Sequence, residues 1–174
     1  MEKIDRDGLL LCELQARAFE LSVSQASVSS EILIRRFMNS QAVKLLDSGA
    51  ILETNLQAGD LLKMIEEQYG KSNYGRVKYS TEEMYWIGYI YRYFAYVKHM
   101  SSIQVYKAVK PKELRGLYLP YHTLDPAQAV DRIMEAKKMP LNEEEEIRRQ
   151  YEILKKNYRL VLEEKYPEQW NSGQ

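Results

Sequence analysis

Apolar residues recur at steps of three and four positions along most of the chain, which is the spacing of one face of an α-helix. The steps are most regular in the segment 82–99, and the pair Ser80 and Glu83 has the form of a capping box at its start. One stripe of this segment consists of Trp86, Ile90, Tyr93 and Val97. No segment shows a convincing strand pairing. The pattern predicts an all-α fold, a single globular domain of about six or seven helices with 82–99 at its centre.

Charged residues become frequent in the last part of the chain. Asn142 is a capping residue for a long last helix over 143–165, whose first four residues are glutamates near its positive end. Its apolar stripe consists of Ile147, Tyr151, Leu154, Tyr158, Val161 and Leu162. We therefore divide the chain into a helical domain, 1–140, and a C-terminal charged amphipathic helix with a short tail, 141–174. This helix either packs on the domain or lies in a groove of a partner.

Four segments between the helices carry turn-forming or polar residues. They are a Ser-rich connection at 22–30, a short extended piece at 50–55, a basic loop at 71–79 and a rigid connection at 119–122. Ser30, at the end of the first of them, is expected to cap the next helix.

The charges are balanced over the chain but unevenly spread. The 174 residues include 25 basic and 25 acidic ones. Residues 70–121 hold nine basic and three acidic groups (net +6), residues 1–69 hold seven and eleven (net −4), and residues 122–174 hold nine and eleven (net −2). A basic middle suits an anionic partner, and it also suits pairing with the acidic ends of the same chain.

Composition excludes several classes of protein. Cys12 is the single cysteine, so an internal disulfide framework and a cysteine-rich zinc site are excluded. The N-terminal residues hold one apolar triplet among four acids, which is unlike a signal peptide. No run reaches the roughly 18 apolar residues of a membrane span. We expect a cytoplasmic protein that does not cross a membrane.

The sequence contains no pattern typical of a catalytic site. His99 and His122 have no further ligand at metal spacing, and a metal site needs three or four ligands. Ser101 and Ser102 lie outside any nucleophile elbow, and the eight glycines form no phosphate-binding loop. We therefore expect a non-catalytic protein without a cofactor or metal.

Aromatic and basic residues are concentrated in the segment 82–132, which holds eight tyrosines, one tryptophan and one phenylalanine. Tyrosine and arginine dominate the hot spots of protein interfaces, so this segment is where a protein partner is expected to dock. The predicted contact residues are Tyr89, Arg92, Tyr96, Lys107, Arg115, Tyr118 and Tyr121. The alternative is that the aromatic residues form a central helix buried by its neighbours.

Nucleic-acid binding is a secondary hypothesis for the same segment. Residues 85–109 have the pattern of two helices joined by a tight turn, and a third helix at 111–117 would follow. Its neighbourhood offers Lys110, Lys112 and Arg115 to phosphates or bases. Aromatic rings among basic residues also suit single-stranded nucleic acid. The third helix, barely two turns long, is short for a helix that reads the major groove.

Several strings in the chain are distinctive. They are YWIGYIYRY at 85–93, SS and VYK within 101–107, PKELR at 111–115, LPYHTLDP at 119–126, and SSEI and IRRFMNS within 29–40. In these strings the chain resembles a family of small helical antitoxin-like proteins of Gram-positive (Firmicutes) bacteria, encoded beside toxins. The resemblance implies a protein that neutralises a co-encoded toxin by direct binding, with repression of its own operon as an additional role. The alternatives are a DNA-binding transcriptional regulator of a mobile element and a phage-type inhibitor of a bacterial defence protein.

Overall fold

The computed structural model describes residues 3–140 and 143–165, and the all-α prediction is confirmed for them. They form ten α-helices, one 3₁₀ turn and no strand. The elements are α1 (Arg6–Gln25), α2 (Ser30–Met38), α3 (Gln41–Asp47), a 3₁₀ turn (Ala50–Glu53), α4 (Ala58–Tyr69), α5 (Thr81–Val97), α6 (Ser102–Ala108), α7 (Pro111–Gly116), α8 (Tyr118–Tyr121), α9 (Pro126–Ala136) and α10 (Glu143–Lys165). The helices outnumber the six or seven predicted because short stretches, such as the four residues of α8, are helices of their own.

The chain divides into two compact units, with the division between Val130 and Asp131 inside α9. The first unit contains α1 to α8 and the start of α9, and the second contains the rest of α9 and α10. The sequence-based boundary at 140 lies further along the chain. Among the described residues, no helix is both long enough and apolar enough to cross a lipid bilayer.

The core of the first unit is built on the packing of α1 against α5. Gly88 allows the two helices to approach closely, because a Cβ atom there would lie 2.9 Å from Phe19 Cγ and 3.0 Å from the Ala16 Cα atom. Gln15 Nε2 donates a hydrogen bond to the Gly88 carbonyl at 3.0 Å, across the same contact. The ring of Phe19 meets that of Phe37 edge to face, with centroids 5.0 Å apart, so α2 joins the same core.

Serine side chains set the starts of several helices. The capping box predicted at Ser80 is present, since the Ser80 hydroxyl accepts from the Glu83 N–H and the Glu83 carboxylate accepts from the Ser80 N–H. The prediction that Ser30 caps α2 is wrong, because Ser29 does so by accepting from the Ile32 N–H. The Ser30 hydroxyl accepts instead from the Tyr79 N–H at 2.8 Å, a contact across 49 positions of the chain that sequence spacing cannot reveal.

Three further segments differ from the prediction. The first helix runs on to Gln25, because the hydroxyls of Ser22 and Ser24 donate to carbonyls of the preceding turn instead of breaking the helix. The piece at 50–55 is not extended but begins with a 3₁₀ turn, which follows Gly49 at a left-handed φ of +75°. The connection at 119–122 lies largely within α8. The loop predicted at 71–79 is confirmed.

We predict that Gly88→Ala destabilises the protein, because the added methyl group must push α1 and α5 apart. Over-packing of this kind costs about 1 to 3 kcal/mol of unfolding free energy, which urea unfolding measures. Gly59→Ala is the matched control, since a Cβ atom there meets nothing within 4 Å in helix α4. The control should stabilise the protein by about 0.4 to 1 kcal/mol. Equal effects of the two changes would contradict the close packing at Gly88.

Candidate partner-binding surface

Helices α2, α6 and α7 place basic side chains on one side of the first unit. The basic surface consists of Arg35, Lys107, Lys110, Lys112 and Arg115, and two of these cations lie against the buried ring of Tyr79 and the half-buried ring of Tyr106. Helix α2 packs against both α6 and α7, which brings these residues together from distant parts of the chain. Lys110 and the three helices carry six basic and two acidic side chains, and Glu83 of α5 adds a third acid where it pairs with Arg115. The surface is therefore electropositive and suits an anionic partner.

Arg115 is held in a fixed position on the basic surface. Its Nε donates to Glu83 Oε2 at 2.7 Å, and its guanidinium carbon lies 4.1 Å from the centre of the Tyr79 ring. The Tyr79 hydroxyl donates to Glu31 Oε1 at 2.8 Å. The hydrogen bond from Arg115 lowers the pKa of the Glu83 carboxyl below its ordinary value of 4.5. A half-exposed cation that is already ordered loses little entropy when a partner binds it.

Lys110 is arranged in a similar way. Its Nζ lies 4.4 Å from the centre of the Tyr106 ring, within the range of a cation–π interaction. Burial raises the pKa of the Tyr106 hydroxyl, and the positive charge of Arg35 opposes that rise.

The loop at 71–79 leads into the basic surface at Tyr79, and the sequence did not single it out as a contact region. Its backbone is tied to the start of α2, because the Tyr74 and Val77 carbonyls accept from the N–H groups of Ser29 and Ser30 at 3.1 and 3.0 Å. Gly75 has a φ of +77°, and a Cβ atom there would collide with Ser29 Oγ at 2.6 Å. The loop thus holds the side chains of Tyr74 and Val77 outward, with Tyr74 72% exposed. The spacing of glycine and serine could have indicated a turn, but not this anchoring.

Arg92 was predicted as a contact residue, and this prediction is wrong. Its side chain is only 2% exposed and lies in the interior of the first unit. The Nε and Nη2 atoms donate to Gln15 Oε1 at 2.9 and 2.8 Å, and Nη1 donates to Asp47 Oδ1 at 2.7 Å. Nη2 also donates to the Ser102 hydroxyl at 2.7 Å. Arg92 therefore cannot touch a partner in this structure.

Tyr89 and Tyr96, the two tyrosines of α5 among the predicted contact residues, lie away from the basic surface. Glu83 holds Arg115 at the basic surface. Tyr89 comes six residues after Glu83, so its side chain leaves the helix about 120° away from that of Glu83. It stacks between two other tyrosines of α5, Tyr85 and Tyr93, with ring centroids 6.4 Å apart in each pair. Burial raises the pKa of Tyr89 to about 12. Tyr85 and Tyr89 are half-buried and Tyr93 is buried, so the row contributes to the packing of the helix and keeps part of two rings exposed.

Tyr96 contacts the start of α1. Its hydroxyl donates to Asp5 Oδ1 at 2.6 Å, and this bond raises the pKa of Tyr96 to about 12. A cavity of about 610 Å³ lies beside it and reaches Asp47 and Arg92. The carboxylates of Asp5 and Asp47 at this cavity already accept hydrogen bonds from the protein. Their hydrogen-bonding capacity is therefore used in stabilising the fold.

Tyr118 and Tyr121 lie on the one-turn helix α8. The Tyr118 ring meets Trp86 edge to face at 5.9 Å and stacks on His122 at 4.4 Å. His122 Nδ1 lies 2.7 Å from the Tyr118 carbonyl, a contact within its own turn. Tyr121 is half-buried. The structure thus places Lys107 on α6 and Arg115 on α7, two helices that both pack against α2, and distributes the other five predicted residues elsewhere.

Other chemistry is limited in the part of the chain that the structure describes. Burial raises the pKa of the Cys12 thiol to about 12, so the reactive thiolate is disfavoured. Residues 3–140 and 143–165 contain no group of three or more His, Cys, Asp or Glu side chains placed to hold a metal ion. Comparison of the chain with protein-family models, curated proteins and solved structures gave no match in any of the three.

We predict that Arg92→Leu lowers the unfolding free energy by about 3 kcal/mol, because it leaves the buried amide of Gln15 without its donor and the partly buried carboxylate of Asp47 without its cation. Chemical denaturation measures the loss. The control is Arg17→Leu, which removes the exposed pair of Arg17 with Glu13 on α1. Such exposed pairs contribute less than about 1 kcal/mol. Comparable losses in the two variants would show that the buried contacts of Arg92 do not stabilise the fold.

We also predict that Arg115→Gln raises the pKa of Glu83 towards 4.5, as measured by NMR titration of the side-chain carboxyl. In the native protein the Glu83 pKa is lower when folded than when unfolded. The stabilisation is therefore fully present above pH 4.5 and is lost as the pH falls through the folded-state pKa. The variant should lose this part of the pH dependence of stability. An unchanged Glu83 titration would contradict the ion pair in solution.

Proposed function

We propose that this chain is a non-catalytic protein-binding module, an antitoxin that neutralises a co-encoded toxin by direct binding. The partner docks on the basic surface and is inhibited by occlusion, without any chemical step. The observation that carries this proposal is the pair of ordered cations at Lys110 and Arg115, each set against a tyrosine ring. The family resemblance of the strings within 85–126 supports the toxin as the partner.

The composition of the basic surface suits a protein partner with an acidic patch. Arginine and tyrosine are the residues that most often carry binding energy in protein interfaces. Lys107 and Lys112 are exposed beside them and can steer an acidic protein into place. Tyr74 and Val77, presented by the anchored loop, add apolar contact area next to the charges. Because the loop is already ordered, little conformational entropy is lost on binding.

DNA binding is the second candidate, and the excess of basic residues on the same surface favours it. Lys110, Lys112 and Arg115 are spaced to contact phosphates. However, α7 has six residues and spans only about 9 Å, which leaves few positions for contacts to base edges. Regulation of an operon would therefore rest mainly on phosphate contacts, which give a steep dependence on salt.

We predict that Lys107→Ala with Lys110→Ala weakens binding to the product of the adjacent gene by at least about tenfold, as measured by calorimetry on the purified pair. The loss follows from removing two charges at the centre of the surface. The matched control is Lys44→Ala with Lys63→Ala, two exposed lysines on α3 and α4, which should leave the affinity within about twofold.

The same variants separate the two functions. If the native protein binds the neighbouring product with one-to-one stoichiometry and only the Lys107 and Lys110 variant loses affinity, the antitoxin proposal is supported. If the native protein does not bind that product but binds a DNA duplex with a steep salt dependence, the function as a DNA-binding regulator is favoured. Equal affinity of both variants for the protein partner would remove the basic surface as its docking site.

A further inference from the structure

Helix α10 exposes a continuous apolar stripe within the second unit. It consists of Ile147, Tyr151, Leu154, Tyr158 and Val161, whose side chains are between 53% and 67% exposed. Large apolar side chains are normally covered when they form a contiguous patch on a protein surface. The stripe is therefore a candidate interface.

The spacing of the stripe identifies what covers it. Its members follow one another at steps of four, three, four and three residues, which is the heptad repeat of a coiled coil. Ile147, Leu154 and Val161 occupy d positions, and Tyr151 and Tyr158 occupy a positions. Two intrahelical ion pairs, Arg149 with Glu146 and Arg159 with Glu163, involve only b, c and f positions, which face away from a partner helix. These four charged side chains on the outer side of the helix are thus paired within the helix. The seam, which is the line of a and d positions, remains available to a partner helix.

The residues beside the seam set the orientation of the partner. Arg148 and Lys155 occupy successive e positions, and Gln150 and Asn157 occupy g positions. In an antiparallel pair, e positions face e positions, so these cations would repel one another. In a parallel pair, e faces g, and Lys155 meets the amide of Gln150 of a second copy. The flanking charges therefore disfavour the antiparallel pair and are compatible with the parallel one.

We propose that α10 pairs with α10 of a second copy of this chain in a parallel, two-stranded coiled coil. The seam is short and ends at Lys165, a charged residue at the next a position. Five side chains on each helix bury about 1,000 Å² in all, near the lower limit for a specific interface. A dimer held by so small an interface is expected to be reversible. This inference stands independently of the basic surface, which lies in the first unit.

Analytical ultracentrifugation of the full chain tests the pairing. The 20.5 kDa chain should convert to twice that mass as its concentration rises from about 1 to 300 µM. Leu154→Lys, in the middle of the seam, should weaken dimerisation at least about tenfold. Ile153→Lys is the matched control, because the same change one residue away falls at an outer c position and should leave dimerisation unaltered. A chain that stays monomeric over this range, or equal effects of the two variants, overturns the proposal.

Disulfide trapping tests the orientation without disturbing the charges. Val161→Cys places identical d-position thiols face to face only in a parallel pair in register, so a mild disulfide oxidant should cross-link this variant rapidly. The native Cys12 does not compete, because it is fully buried. Antiparallel helices pack a positions against d positions, so rapid cross-linking only between Ile147→Cys and Tyr158→Cys chains, or only between Tyr151→Cys and Val161→Cys chains, in a mixture would instead establish an antiparallel pair and overturn the parallel arrangement.

Discussion

The guanidinium of Arg92 joins four helices of the first unit at one point. Arg92 comes from α5, and its hydrogen bonds reach Gln15 on α1, Asp47 on α3 and Ser102 on α6. The Ser102 hydroxyl accepts from Arg92 and donates to Asp47, so it links the cation to its counter-ion. A buried charge is tolerated only when its hydrogen bonds are satisfied. Because Arg92 and its three partners come from four helices, all four must be correctly placed for the cost of burial to be offset.

The basic surface depends indirectly on this arrangement. Ser102 lies at the start of α6, and the Ser102 N–H also donates to Asp47 at 3.1 Å, which fixes where α6 begins. Lys107 and Tyr106 follow one turn later on the same short helix. Tyr91, the neighbour of Arg92, donates its hydroxyl to the Val109 carbonyl at the end of α6. Both ends of α6 are thus held by α5. The position of the exposed cation on α6 therefore depends on buried hydrogen bonds.

The two units use their tyrosines differently. In the first unit, the rings of Tyr79 and Tyr106 lie under cations, and that of Tyr118 lies against tryptophan and histidine, so each contributes its face to a specific contact. In the second unit, Tyr151 and Tyr158 are exposed along a regular seam. A tyrosine combines a large apolar face with a polar tip, so it can serve in a core, beside a charge or in an interface. Composition alone cannot tell these uses apart.

The sequence by itself determined the all-α class, the approximate extent of α5 and α10 and the capping box at Ser80, because capping and helical periodicity are local properties. It also indicated that Lys107 and Arg115 would be available, since both lie on short, polar helices. It could not determine that Arg92 is buried, because the partners of Arg92 are as far as 77 positions away. Nor could it show that the Ser30 hydroxyl accepts a hydrogen bond from the Tyr79 N–H, or that the exposed side chain of Tyr74 lies on an anchored loop. Those outcomes depend on hydrogen bonds between distant residues, which only the tertiary packing brings into range.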